Sequence, residues 1–342
     1  MRKRDILSRE VLIDQPHSFW LEALSFRESA TPHVILSVAV FVALALVVSV
    51  LDRFVMHVDL GVEIAPYEIV GAAVGVLLIQ RVNAGYDRWW EGRKLWGGID
   101  NQTRNCVLAG LSYGPTDPAW RDRFVRWVAA FPHAARRSLR DERTLPELVD
   151  LLGEADAARV VAAEHMPGFV ALAIGAQLRE ARDHHDMDRF GFLQADRERA
   201  TLIDHVGACE RIRRSPLPTV LAVNIRRFLF LYLSTLPFAL IERVSWPMVP
   251  LITLIVAFAL LELDQIGIEP QGPFDDKNLG HLPLNALCEM IQGNLLALLK
   301  ESPGCAAAEA RPVLALAEDN GTPPEPDGEG SPVPLVSDRP AR

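Results

Sequence analysis

The 342-residue chain predicts an all-α integral membrane protein, with four transmembrane helices and a large polar helical part. Three observations carry this. Val34–Leu51 is an apolar run without a charge, and at 1.5 Å per residue it reaches about 27 Å, enough to cross a hydrocarbon core. Three further runs, 64–80, 226–241 and 246–263, are also predominantly apolar, with charges confined near their ends. Hydrophobic residues make up 49% of the chain and charged residues 23%, too apolar for a plain soluble enzyme and too charged for a bundle wholly inside lipid.

Residues 1–32 are mixed, and Phe19, Trp20, Leu21, Leu24 and Phe26 predict a short amphipathic helix on the membrane surface. The opening MRKRDILSRE is basic, but no apolar run or cleavage site follows directly, so it does not read as a signal peptide. After the first span, the short loop Asp52–Glu63 leads to the second. Gly71 and Gly75 form a GxxxG pattern that permits close backbone approach. Glu68, Ala72, Val76 and Gln80 recur at steps of four and share a helix face. Such a face suits a helix around a narrow pore, and equally an ordinary helix packed on its neighbours.

From Arg81 the chain turns polar without a proline, so the second helix is expected to run on into water. The middle, 81–218, repeats apolar residues at helical intervals (Phe124, Trp127, Val128, Phe131; Leu148, Leu151, Leu152; Val160, Val161) and predicts several helices. GPTDPAW at 114–120 and HMPGF at 165–169 are turns with helix starts after them. The third span, counted back to Thr219, carries Pro237, which predicts a kink. Beyond the fourth span, 264–300 returns to the polar side and ends in an amphipathic helix, Leu284–Leu299. Residues 1–300 read as one unit, and the Pro-, Gly- and acid-rich 301–342 as a disordered tail. MRKR with Arg81, Arg88, Arg93 and Lys94 places both termini and the middle in the cytoplasm by the positive-inside rule.

Composition and spacing exclude several functions. A net charge of −9 without a dense basic block argues against nucleic acid. Four separated cysteines without a CxxC argue for reduced thiols rather than metal ligands. His184, His185, Asp186 and Asp188 resemble a ligand set, but adjacent histidines diverge by about 100° on a helix, which favours a solvated turn. Asp264, Glu269, Asp275 and Asp276 offer oxygens to a cation, though a solvated acidic loop explains them better. Cys209, with His205 a turn away and Arg211 and Arg213 nearby, suggests a reactive thiol, but a packed helix is the simpler account. No catalytic constellation, metal or cofactor is expected.

The order RVNAGYDRWWEGRKLWG (81–97), GACERIRRSPLP (207–218), GPFDD (272–276) and LPLN (282–285) resembles the bacterial bestrophin-like family of chloride channels. The residues carrying the likeness are Arg81, Asn83, Tyr86, Asp87, Arg88, Trp89, Trp90 and Glu91, then Pro216 and Pro218, then Pro273 and Phe274. The resemblance implies a homopentamer in the inner (plasma) membrane, with lipids, other copies and permeating ions as partners. Five copies of the second helix would line a pore for small monovalent ions, and the helical middle would extend it inward. It implies a neck at Ala72, Val76 and Gln80 (where the family usually has Phe), Glu68 at the outer mouth, and an exit constriction at Phe190, with Phe192 the second choice. Trp89 and Trp90 would pack between helices, with Arg88 and Glu91 pairing across subunits, and Arg81 would favour anions if it faced the lumen. Chloride is the family default. A sodium- or potassium-selective channel and a non-conducting accessory assembly are the alternatives. GPFDD departs from the PFG of animal relatives, so their calcium control is not carried over.

Overall fold

In the computed structural model, residues 30–55, 62–144 and 146–302 are described. The surface helix expected within 1–32 and the tail from 303 lie outside the described residues. The described chain is helical, without strands. α1 covers Thr31–Val50 and runs into a π-turn at Leu51–Val55. α2, Ala65–Tyr113, is one helix of 49 residues, about 73 Å long and more than twice the thickness of a hydrocarbon core. Pro66 starts it, Pro115 follows it, and no proline lies between, so nothing interrupts its backbone hydrogen bonds at the change from apolar to polar sequence.

α3 (Pro118–Leu139) starts where Asp117 accepts the N–H groups of Ala119 and Trp120 at 3.3 and 3.1 Å. Two short helices, α4 (Pro146–Leu152) and α5 (Glu154–Ala162), lead to α6 (Met166–His184), where His165 Nδ1 accepts the Gly168 N–H at 3.0 Å. Both turn motifs of the sequence are thus helix caps. α7 spans Arg189–Arg214, α8 Thr219–Ile241 and α9 Met248–Ile266; a 3-10 turn at Glu269–Gln271 precedes α10, Leu284–Glu301. α8 is helical straight through Pro237.

Among the described residues four helices are long and apolar enough to cross a membrane: those containing α1, α2, α8 and α9. α9 lies along α1, and α8 touches α1, α2 and α9. Their mutual contacts are small clusters, such as Val34, Val38 and Phe41 against Leu233 and Ala257, and Val74 and Leu78 against Ile225 and Leu229. The large core lies in the polar half. There α7 packs along α2, α3 packs on α6 and α10, and Trp96, Ile99, Trp120, Phe124, Phe131 and Leu202 are enclosed. A water-soluble body must bury its own apolar surface, whereas lipid can cover the outer faces of spanning helices.

Close approaches fix α2 against its neighbours. A Cβ on Gly85 would lie 2.7 Å from the Gly267 carbonyl oxygen, so α9 and α2 meet there backbone to backbone. Of the GxxxG pair, Gly71 makes room for the Tyr232 hydroxyl, whereas among the described residues no neighbouring element comes within 4 Å of such a Cβ on Gly75.

Candidate functional site

α2 has two unlike sides. Val74, Leu78, Arg81, Gly85, Gly92, Trp96 and Ile99 are buried and recur at one- or two-turn steps, so one side faces the rest of the chain. The opposite side is exposed over most of the helix, with Gly97 and Gly98 partly covered between Lys94 and Asn101. It starts with Glu68, Ala72 and Val76, continues through Ile79, Gln80 and Asn83, and passes Asp87, Trp90 and Lys94 to Asn101, Asn105 and Leu108. Val76 is 58% and Ile79 57% exposed, so Ile79 and Gln80 straddle the midline of this face. From Ala72 to Ile79 the face is small and apolar, and below Ile79 it is mostly polar, with Trp90 and Leu108 the apolar members.

The sequence reading placed Glu68, Ala72, Val76 and Gln80 on one side, and all four are exposed there. It did not extend the stripe to Asp87, Trp90 and Lys94, although continuing the 3.6-residue step from Ala72 reaches them. Arg81 does not meet the condition under which it would favour anions. It points to the packed side, is 4% exposed, and pairs with Asp264 of α9 at 2.9 Å. Asp264 is therefore no cation ligand: it is buried and also accepts from Arg226 Nε at 3.2 Å. The other acids of that set are dispersed on local partners, Glu269 on the Leu279 N–H at 2.9 Å and Asp275 on the Lys277 N–H at 3.1 Å. Among the described residues no group of three His, Cys, Asp or Glu side chains is placed to hold a metal.

Arg88 and Glu91 do not wait for a partner subunit. Arg88 donates to the carbonyls of Gln271 (2.5 Å), Ser215 (2.7 Å) and Ile212, tying α2 to the end of α7 and to the 3-10 turn, while Glu91 pairs with Arg211 at 3.1 Å. Trp89 packs on the core, Trp90 is 45% exposed, and both stack with Tyr86 at centroid distances of 6.2 and 6.5 Å. Pro273 and Phe274 press on Gly92, where a Cβ would lie 3.1 and 3.3 Å from them. These motif residues are joints between elements.

Cys209 is fully buried, and burial with Glu210 nearby pushes its thiol up to about 12, so it is no nucleophile. His184 ends α6, and Asp188 caps α7 by accepting the N–H groups of Phe190 (2.7 Å) and Gly191 (3.1 Å). Phe190 is 84% exposed, beside a cavity of about 780 Å³ bounded by Leu108, Ser112 and Tyr113 of α2 and by Leu193 and Arg197 of α7. Phe192 is half-buried under the Arg182 guanidinium, 4.8 Å from its ring centre.

The family model described as Bacterial/Fungal Bestrophin protein matches residues 11–297. The chain belongs to the bacterial and fungal bestrophin family. Among bestrophin relatives, it is 29% identical over 293 residues to a voltage-dependent anion channel-forming protein of Ralstonia nicotianae, covering 85% of this chain and 95% of that one. A protein of the same description from Nostoc is 32% identical over 241 residues, covering 69% and 77%. A crystal structure of a bestrophin homolog from Klebsiella pneumoniae shares the fold with a TM-score of 0.72 at 24% identity, covering 78% of this chain and 99% of that one.

Proposed function

We propose that this bestrophin is a passive anion channel of the plasma membrane, with chloride as its ion, built from five copies around the open face of α2. The observation carrying this reading is that face: a stripe passing from an apolar span into a polar body, exposed among the described residues except where Gly97 and Gly98 are partly covered. The names of the relatives, anion channel-forming proteins, support the ion. In this assembly Glu68 rings the outer mouth, Ala72, Val76 and Gln80 line the neck, and Phe190 narrows the exit. The helical body and both termini lie in the cytoplasm. A narrow apolar ring gates by dewetting, and charged rings choose the sign of the ion. Lys94 is a cation on the polar part of the stripe, where it would attract anions.

Purified protein in liposomes is expected to dissipate a chloride gradient, with a reversal potential that follows chloride. A potential that follows sodium would favour the cation reading, which the exposed carboxylates of Glu68 and Asp87 support. In that case Glu68→Gln should weaken cation preference, most at low salt, because the Debye length is roughly 8 Å at physiological ionic strength.

A further inference from the structure

We propose that Arg226 and Arg227, at the start of the apolar part of α8, form a binding site for an anionic phospholipid. Both arginines are exposed, and Phe228–Ile241 beyond them is apolar, so on the membrane placement above their guanidiniums sit at the inner edge of the bilayer, where long cationic side chains reach the headgroups.

The local charge is unbalanced. Arg81 and Arg226 share one carboxylate, Asp264, which buried Arg81 holds at 2.9 Å, and Arg227 follows directly on α8. The Arg226 side chain remains 60% exposed. Among the described residues Arg227 has no hydrogen bond or ion pair. An unpaired guanidinium beside hydrocarbon needs an anion, and its planar donors suit a phosphate.

Beside the two arginines lies an open space of about 500 Å³ along one face of α8, lined by Val223, Phe230 and Leu231 of the same helix. It continues from the charges along the apolar side of α8, so one ligand with an acidic head and an alkyl chain fills both parts. Basic pockets beside membrane helices on the cytoplasmic side hold acidic headgroups by the same physics.

The test uses the full-length protein in detergent, titrated with dioleoyl phosphatidylglycerol or dioleoyl phosphatidylcholine and read by native mass spectrometry and by melting temperature. The native protein is expected to retain phosphatidylglycerol selectively and to be stabilised by it. Arg227→Gln should weaken retention about five-fold, the effect of one basic residue at a membrane surface. Arg227→Lys should keep most of it. Val223→Trp, which fills this space and leaves the charges, should weaken retention as well.

Equal retention of the two lipids, or unchanged retention in Arg227→Gln, would overturn the site. So would the same stabilisation by inorganic phosphate. Loss of assembly mass by Arg227→Gln in lipid-free detergent would also overturn it, assigning Arg227 to a carboxylate of a neighbouring copy. The site rests on the membrane placement, and the two fail differently. Native protein that does not insert into vesicles defeats the placement, whereas protein that inserts and conducts without preferring phosphatidylglycerol defeats only the site.

Discussion

His133 is fully enclosed between α3 and α10, with Nε2 2.8 Å from Gln292 Oε1. Burial, then the nearby Arg136 guanidinium, lowers its pKa to about 4. Because the folded value lies below the unfolded one, the fold is undisturbed above about pH 6.5 and loses stability as pH falls from there to about 4, by up to about 3 kcal/mol. His133→Gln keeps a donor for Gln292 without titrating, so thermal unfolding of this variant in detergent should be less sensitive to pH between 6.5 and 4. An equal acid shift in both proteins would remove His133 from the account. A second prediction concerns the neck. If Gln80 lines it, Gln80→Phe should lower basal flux, because a glutamine ring offers hydrogen bonds to water and a phenyl ring does not. Ile79 and Gln80 are both exposed on either side of the open midline, so Ile79→Phe is the control. Reduced conductance in single-channel recordings of Ile79→Phe alone would rotate the pore face by one residue. At this scale the sequence marked exposed positions well, since Ala72, Val76 and Gln80 follow simple helical spacing. It left the side of Arg81 open and gave Arg88 a partner in another subunit, because a charge near a span boundary reads the same whether it faces a lumen, a neighbour or a buried partner on a distant helix.

Among the elements, α2 is the axis, and buried polar joints hold it. Arg81 to Asp264 joins it to α9, and Arg88 ties it to the end of α7 and to the turn after α9. Asp264→Asn would leave the Arg81 guanidinium buried without its counter-charge, a loss of about 3–5 kcal/mol for an ion pair of this kind. Replacing both partners, Arg81→Met with Asp264→Leu, should recover most of that, since a well-packed apolar pair needs no desolvation of charge. Melting temperatures of the single and double variants in detergent check this, and equal losses in both would show that the site holds more than the pair. The number and order of the spans were legible because hydropathy and length report them directly. That α2 is a single helix to Tyr113 was also legible, from the absence of proline between Pro66 and Pro115. The pairing of α3 with α6 and α10 was not, because amphipathic periodicity shows which face is buried and not against which helix.

For the whole molecule, the distribution of enclosed surface argues for a two-environment protein. The polar half buries large aromatic residues within the chain, whereas Leu36, Ile69, Phe228 and Ile255 stand exposed on the apolar helices. So broad an apolar surface is unfavourable in water, and in the proposed assembly lipid and neighbouring copies cover it. This bears on orientation, which can be read with engineered thiols. Cys106, Cys209 and Cys288 are buried with their thiols pushed up to about 12, so they contribute little labelling background once Cys305 is replaced by serine. Glu63→Cys, just before α2, and Ala119→Cys, in the first turn of α3, both lie at exposed positions, so burial does not confound the comparison. In intact cells a membrane-impermeant maleimide should label the first and spare the second, and permeabilised cells should label both. Labelling of Ala119→Cys in intact cells would invert the chain and put the helical body outside. Labelling of neither position after permeabilisation would mean that neighbouring copies cover these sites, and exposed positions farther along each segment would then have to be used.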